Sequence, residues 1–401
     1  MYIETLALEP QSLSPTPASA DEVEALLEAA VGKQVVMLGE SNHFIREKTD
    51  FRLWWLRELG RKRRLVVGEE LSWTDGRLVD QYFRTGDQSL LDRTDTLGDA
   101  APRRSDRDDL PTGILAGAAE RFPKAGFRQT QTTFYDELRK LDCVDQYFGF
   151  DIGSAYTAYP WVAELAASLA AGSPDDTALV QVREALQPVP GESIMAETRR
   201  LEAALNSLTV YTDAQAITLQ QTVRNLIDNL RYQHEAHPAA SYEALRPAMA
   251  RRENFMKDQV TLALGRLGPD QCLVLLGHMF HLARNDSPLS LAGVGPGGGL
   301  VSSLGHHLCQ ERQIPTFSAW MLYAQGRDSQ PFPDLPCEAS YPSTSINHQL
   351  AQSGKNLIVP GWALQKLGLA EVGHMYNQTL KLDLAQQVDA IWFTHRVSPL
   401  P

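Results

Sequence analysis

Four short apolar runs in this chain each stop at a polar or ionisable group. Val35-Val36-Met37-Leu38 is followed by Gly39-Glu40, and Leu65-Val66-Val67 by Gly68-Glu69-Glu70. Tyr147-Phe148-Gly149-Phe150 is followed by Asp151, and Leu273-Val274-Leu275-Leu276 by Gly277-His278. Unbroken apolar runs of this kind suit strands covered on both faces, as in parallel sheets, where a half-solvated strand would alternate. Helical patterns lie between them. Asp21 to Ala30 turns Val23, Leu26 and Leu27 to one face, and Lys48 to Gly60 repeats Phe51, Trp55 and Leu59, with Gly60 as a stop signal. Strand, helix and strand at this spacing make a βαβ unit. The expected fold is α/β: a mainly parallel sheet core flanked by helices, with an inserted helical subdomain. Open sheets of that kind take their ligands beyond the carboxyl ends of the strands. Each of the four polar groups falls at such an end.

The insertion is read from a change of period. From about Tyr156 to Leu267 the pattern is helical, and Glu197–Leu208, Gln215–His234 and Arg251–Leu267 repeat apolar residues at close to helical spacing. Strand candidates resume at Phe317–Tyr323, Leu357–Val359 and Ala390–Phe393. With 401 residues the chain exceeds the usual size of one domain. The expected division is an α/β core in two parts, residues 1–155 and 251–401, around a helical insertion at 156–250. Leu97–Gln131, rich in Arg, Asp, Gly and Pro, reads as a long surface excursion or lid. Leu8–Ala20 reads as an irregular lead-in. The glycine-rich Gly293–Gly299 lacks the Gly-Lys-Ser/Thr ending of a phosphate loop and reads as a surface loop or an active-site flap.

Composition narrows the partners. A formal net charge of −12 opposes binding to nucleic acid or to an anionic membrane. The basic run Arg61–Arg64 fits a solvated helix end, where cations complement the macrodipole. No stretch approaches the roughly 18 apolar residues of a membrane span. Met1-Tyr2-Ile3-Glu4 has neither the basic start nor the apolar stretch of a signal peptide. The four cysteines, Cys143, Cys272, Cys309 and Cys337, form no C-x-x-C pair, so neither a zinc site nor a disulfide framework is implied. These features lead to the expectation of a cytoplasmic protein.

The strand ends carry the chemistry. Glu40 and His43 stand three apart after the first run. Imidazole has a reference pKa near ~6.5 and a neighbouring carboxylate raises its basicity, which suits a general base for water. A strand-end histidine can equally be structural. Glu69 and Glu70 are adjacent, so side-chain alternation sends them to opposite sides, one to the site and the other to solvent. His278 and His281, on a helical turn, would share a face. Two imidazoles there could bind a metal, donate to an oxyanion or hold a carboxylate, or one could be a packed core histidine. Arg52 and Arg252 lie on helical patterns among apolar neighbours, where an arginine needs a partner; Glu40, Glu47 or Glu70 would supply one.

Together these blocks resemble the erythromycin esterase family. Leu38-Gly39-Glu40-Ser41-Asn42-His43-Phe44-Ile45-Arg46-Glu47 looks like its first motif, with Arg52 at the trailing arginine. Gly68-Glu69-Glu70-Leu71-Ser72-Trp73 is similar to its Leu-Glu-Ala-Asp-Trp block, which places the family's essential glutamate on Glu70. Tyr147–Asp151, Arg252–Met256, His278-x-x-His281, Ser303-Leu304-Gly305 and Val388–Phe393 resemble later blocks, in the family's order. The resemblance implies an α/β core with a helical subdomain and a metal-independent hydrolytic site without an enzyme nucleophile. In it His43 activates water, Glu70 and Glu40 orient that base, and His281 or His278 stabilises the oxyanion with Arg52. Glu47, Arg252 and Asp151 complete the substrate- and oxyanion-binding set. Ser72 departs from the family's aspartate, and Leu97–Asp142 matches poorly, including Phe134–Lys140 where a cleft helix is expected. What the resemblance carries over is therefore cleavage of an ester or lactone of a small molecule, a natural product among the candidates, with no cofactor; the departures fall where the family shapes its substrate cleft. Two other reactions use the same residues. One is non-hydrolytic acid/base chemistry in a biosynthetic pathway. The other is metal-dependent hydrolysis, with Glu40, His43, His278 and His281 as ligands. A non-enzymatic binding protein is a further alternative.

Overall fold

The computed structural model describes residues 10–11, 14–15, 20–94, 126–152, 155–170, 176–187, 189, 191–208, 214–235, 242–286, 301–329, 337–365, 368–374 and 377–401. Most of Leu97–Gln131, much of Leu8–Ala20 and the whole of Gly293–Gly299 lie outside them. The chain adopts the expected α/β fold. Its main strands are β1 (Val35–Glu40), β2 (Arg64–Ser72), β3 (Val144–Asp151), β4 (Gln271–His278), β5 (Thr316–Gly326) and β6 (Leu357–Pro360). A hairpin of β7 (Leu369–His374) and β8 (Gln378–Asp383) precedes the last strand, β9 (Ala390–Val397). Seven strands form one sheet in the order β3-β2-β4-β1-β5-β9-β6. β1 runs parallel to both β4 and β5, β2 parallel to β4, and β9 parallel to β5; β6 closes the edge antiparallel to β9.

β1 sits in the middle, and all six of its residues are buried. That is why the run Val35–Leu38 shows no alternation: neither face meets water. Register then sets the site. Glu40 lies opposite His278 on one side and Met321 on the other, and Gly39 lies opposite Gly277 and Trp320. Helix α1 (Ala20–Val31) precedes β1, and α2 (Glu47–Gly60) links β1 to β2. Helix α2 buries Phe51, Trp55 and Leu59, the residues its spacing had singled out, and also Lys48 and Arg52.

Two compact units make up the chain. The first comprises Met1–Glu69, Lys124–Tyr147 and Val260–Pro401, the second Glu70–Pro123 and Phe148–Gln259. The boundary falls inside β2 after Glu69 and inside β3 after Tyr147, so the second unit begins earlier than an insertion at 156–250 would. In the first unit one apolar cluster gathers Met279, Trp320, Leu322, Ile346, Val372 and Ile391. The second unit is largely helical. Val162, Leu179, Leu201, Leu219, Val223 and Leu226 from successive helices form its core, as their 3.6-residue spacing requires. It also contains α3 (Trp73–Thr85), which starts at Ser72, whose hydroxyl accepts the Asp75 amide at 2.9 Å.

Two local expectations change. Leu97–Gln131 does not stay irregular to its end: from Phe127 the chain is helix α4 (Phe127–Lys140), and Gln131, Phe134 and Tyr135 are buried. His278 and His281 are not on a helix. The first ends β4 and the second follows in a tight turn whose His281 amide donates to the His278 carbonyl at 3.1 Å. Among the described residues no helix is long and apolar enough to cross a membrane.

Gly39 shows how closely this end of the sheet is packed. A Cβ there would meet the Trp320 indole at 2.7 Å and the Met279 backbone at 3.1 Å, and Trp320 is fully buried. Gly39→Ala is expected to destabilise the chain by about 1–3 kcal/mol, the usual range for overpacking. An unchanged midpoint in urea unfolding would contradict this.

Candidate active site

Glu40 is fully buried at the end of β1, and there the chain turns through Ser41 and Asn42 to His43. Asn42 holds the turn. Its side-chain oxygen accepts the Phe44 amide at 2.8 Å, and its nitrogen donates to Tyr323 Oη at 2.9 Å and Asp328 Oδ2 at 2.7 Å. The His43 ring is thereby presented with 26% of its side chain exposed, while Nδ1 stands 3.0 Å from Glu40 Oε1. Arg52, one turn and more into α2, grips the same carboxylate with two nitrogens, Nη2 at 2.7 Å and Nε at 3.2 Å. Burial by itself would raise the Glu40 pKa. The Arg52 charge, the His43 hydrogen bond and the nearby Lys48 more than reverse this and hold it at about 2. Glu40 is therefore a carboxylate, an acceptor only, at any ordinary pH. His43 Nδ1 must carry the proton between them, which leaves Nε2 with a lone pair.

Arg52 has a second partner. Its Nη1 donates to Glu69 Oε1 at 2.5 Å. Glu69 also accepts from Gln131 Nε2 at 3.1 Å, Tyr135 Oη at 2.8 Å and Tyr147 Oη. Burial, and then the Glu69 charge, push the Tyr147 hydroxyl well above its ordinary pKa, so it stays a donor. Burial likewise opposes the Arg52 charge, but the two carboxylates outweigh it and keep the guanidinium protonated. Lys48, itself buried, adds the second positive charge that two carboxylates need. Arg52 was expected to donate to an oxyanion; here its guanidinium is engaged by Glu40 and Glu69 and holds the former against His43.

The histidines form a row. The His43 and His278 ring centroids are 5.2 Å apart, His278 and His281 6.5 Å, and His278 and His374 6.2 Å. His278 is buried, and its Nδ1 accepts the Phe280 amide at 3.3 Å. In the neutral ring its proton must then sit on Nε2. Neighbouring rings thus hold opposite tautomers: His43 offers an acceptor at Nε2, and His278 a donor. His374, at the end of β7, is also buried, and burial pushes its pKa down to about 4.

The structure thus brings together Glu40, His43, Arg52, His278 and His281 in the first unit. Within the second unit, Glu70, Asp151 and Arg252 form an ion-pair cluster. Arg252 donates to Glu70 Oε1 at 2.8 Å and to both Asp151 oxygens, at 2.8 and 2.7 Å. Burial opposes the Arg252 charge, and Asp151 and Glu70 hold it well above its ordinary pKa nonetheless. Neither acid of the Glu69-Glu70 pair is left to solvent, contrary to the sequence expectation. Glu47 accepts the Ser398 amide at 3.0 Å and so ties the tail after β9 to the start of α2. Sequence reasoning missed the buried partners Asn42, Lys48, Gln131, Tyr135, Tyr147, Tyr323 and Asp328, and it missed His374; Glu69 it named without a partner. Among the described residues, no cluster of three or more His, Cys, Asp or Glu side chains is arranged to hold a metal.

No family model matches the sequence, and no curated protein matches it. Solved structures do. An erythromycin esterase mutant in its open conformation superposes with a TM-score of 0.66 at 15% identity, over 98% of this chain and 97% of that one. A Bacillus cereus protein gives 0.63 at 14% identity, over 98% and 95% of the two chains. A succinoglycan biosynthesis protein gives 0.63 at 13%, over 99% and 97%. At these identities the likeness establishes the fold. The chain has the α/β architecture of the erythromycin esterase structure along nearly its whole length.

Two outcomes follow from the buried charges. Arg52→Met leaves Glu40 and Glu69 buried without their guanidinium, and is expected to destabilise by about 3–5 kcal/mol; urea unfolding of the variant measures it, and a loss within experimental error would contradict it. His374 has a folded pKa of about 4, below its ordinary 6.5. The unfolded chain therefore binds more protons between those values. This group's contribution to stability is complete above the higher value and is lost as pH falls toward the lower one, by roughly 3 kcal/mol. In His374→Phe the unfolding midpoint should fall less between neutral pH and pH ~4.5 than in the parent chain. An equal or steeper fall would count against the assignment.

Proposed function

We propose that this chain is a hydrolase that uses a histidine-activated water to cleave an ester or lactone of a small molecule, a natural product among the fitting substrates. One observation carries the reading: the adjacent rings of His43 and His278, 5.2 Å apart, hold opposite tautomers. His43 Nε2 takes a proton from water as the oxygen attacks the carbonyl carbon. Glu40, fixed by Arg52, keeps Nδ1 protonated and balances the imidazolium. His278 Nε2–H, with His281 beside it, donates to the oxyanion. Collapse of the tetrahedral intermediate breaks the carbon–oxygen bond, and the proton held by His43 passes to the leaving alkoxide. No enzyme nucleophile is consumed. General base catalysis supplies roughly 10²–10⁴-fold and an oxyanion donor about 10²–10³-fold more.

The shared fold with an erythromycin esterase structure supports the hydrolytic class. The mechanism above draws on the first unit alone. The fold is also shared with a succinoglycan biosynthesis protein, which favours as second reading a biosynthetic enzyme running non-hydrolytic acid/base chemistry on the same set.

The test is hydrolysis of a panel of 4-nitrophenyl esters and macrocyclic lactones in ¹⁸O-water, with circular dichroism to verify folding. Incorporation of one label into the acid product is expected, and His43→Ala should lose at least about 10²-fold in kcat. Turnover without label would favour the second reading. Rates in His43→Ala equal to the parent's would eliminate His43 as the base.

A further inference from the structure

The hairpin of β7 and β8 ends on a histidine that this mechanism does not use. His374 is 1% exposed, and among the described residues neither of its ring nitrogens has a hydrogen-bond partner. Its backbone is held firmly. Asn347 Nδ2 donates to the Gly373 carbonyl at 3.2 Å, Asn347 Oδ1 accepts the Gly373 amide at 2.7 Å, and Tyr341 Oη donates to the His374 carbonyl at 3.1 Å. Gly373 also admits the Tyr341 ring so closely that a Cβ would stand 2.3 Å from it. The ring itself rests edge-on against Phe280, with centroids 4.6 Å apart at 71°, and against His278 at 6.2 Å and 76°. His278 is in turn the ring neighbour of His43.

A buried imidazole with both nitrogens unsatisfied is destabilising, and a side chain of the same shape without nitrogens would avoid the penalty. Phenylalanine would fill the place against Phe280. Retaining histidine there, on a backbone clamped from two sides, is explained if the ring's hydrogen bonds are made to a ligand. We propose that His374 is a positioning residue for substrate, its ring hydrogen-bonding an uncharged oxygen, a hydroxyl or a carbonyl, of the molecule held beside His278. This rests on the hydrolase reading of the same histidine row. The ring is neutral at ordinary pH because burial holds its pKa at about 4. A neutral imidazole offers one donor and one acceptor, which matches the donor and acceptor of a hydroxyl. Phe280 adds an apolar wall.

The experiment compares two probes, 4-nitrophenyl butyrate and 4-nitrophenyl 3-hydroxybutyrate, on the parent chain, His374→Phe and His374→Gln. His374→Phe is expected to unfold no more easily than the parent at neutral pH. It should raise KM for the hydroxylated probe about tenfold, with a smaller change in kcat and a smaller effect on the plain butyrate. His374→Gln, which keeps a donor and an acceptor, should recover part of that loss. Equal KM values for parent and His374→Phe on both probes would overturn the proposal. If the parent hydrolyses neither probe, the hydrolase reading fails separately. The ring assignment is then decided by ¹⁵N-histidine spectra titrated with the 4-nitroanilide of 3-hydroxybutyrate. A shifted His374 signal supports it, and a signal that stays in place at saturating concentration overturns it.

Discussion

The grip of Arg52 on Glu40 is the interaction on which the rest depends. A carboxylate at the end of a fully buried central strand would, by desolvation alone, take up a proton and become a poor partner for an imidazole. Two guanidinium nitrogens on that one group, with Lys48 a helical turn away, reverse the preference. The proton position on His43 follows from this. Glu40 is ionised, so it accepts; His43 Nδ1 therefore donates, and the lone pair is on the exposed side of the relay. The arrangement also explains the depth of the hydrogen-bond network around Glu69. Arg52 must stay charged and immobile to do this, and Glu69, itself held by Gln131, Tyr135 and Tyr147, fixes its other end.

Much of this was legible as a sequence. The rule that ligands gather beyond the carboxyl ends of parallel strands picked out Glu40, His43 and His278, and the pairing of β1 with β4 puts Glu40 level with His278. The choice between Glu69 and Glu70 was not legible, and the reason is physical. Alternation assigns faces when one face is polar and the other apolar, but β2 is covered on both, and both acids find arginine partners. Knowing that the two point opposite ways says nothing about which way the site lies. The family resemblance settled on Glu70, and the structure gives Glu69 to Arg52. Gln131 and Tyr135 were readable in principle, being four apart on one face of α4, but the Arg- and Pro-rich stretch before them hid the start of that helix.

His374 was hidden for a different reason. It ends no continuous apolar run, because its strand belongs to a two-stranded hairpin in which Val372, Leu380 and Leu382 are buried while Leu369 and Lys381 face out. The period-two signal is there in Leu380-Lys381-Leu382, but it is short, and a lone histidine beside it is most simply a surface residue. Only the packing of the hairpin's end against the turn after β4 turns that histidine into a neighbour of His278.

The four histidines differ in what the protein asks of them, and the difference lies in their first hydrogen bond. His43 gives its Nδ1 proton to a carboxylate, so its Nε2 keeps a lone pair. His278 receives a backbone amide at Nδ1, so it becomes a donor at Nε2. The His281 backbone ties the turn that carries the pair, through His278 on one side and Gly305 on the other. Among the described residues His374 has neither a carboxylate nor an amide on its ring, and burial keeps it neutral. On the proposed reading, a row that offers an acceptor, a donor and an uncommitted neutral ring would activate water, receive a developing oxyanion and hold an oxygen nearby. A row of protonated imidazoles this close together would repel one another. By fixing two tautomers with a carboxylate and an amide, and the third ring's charge by burial, the fold avoids that conflict without a metal-like concentration of positive charge.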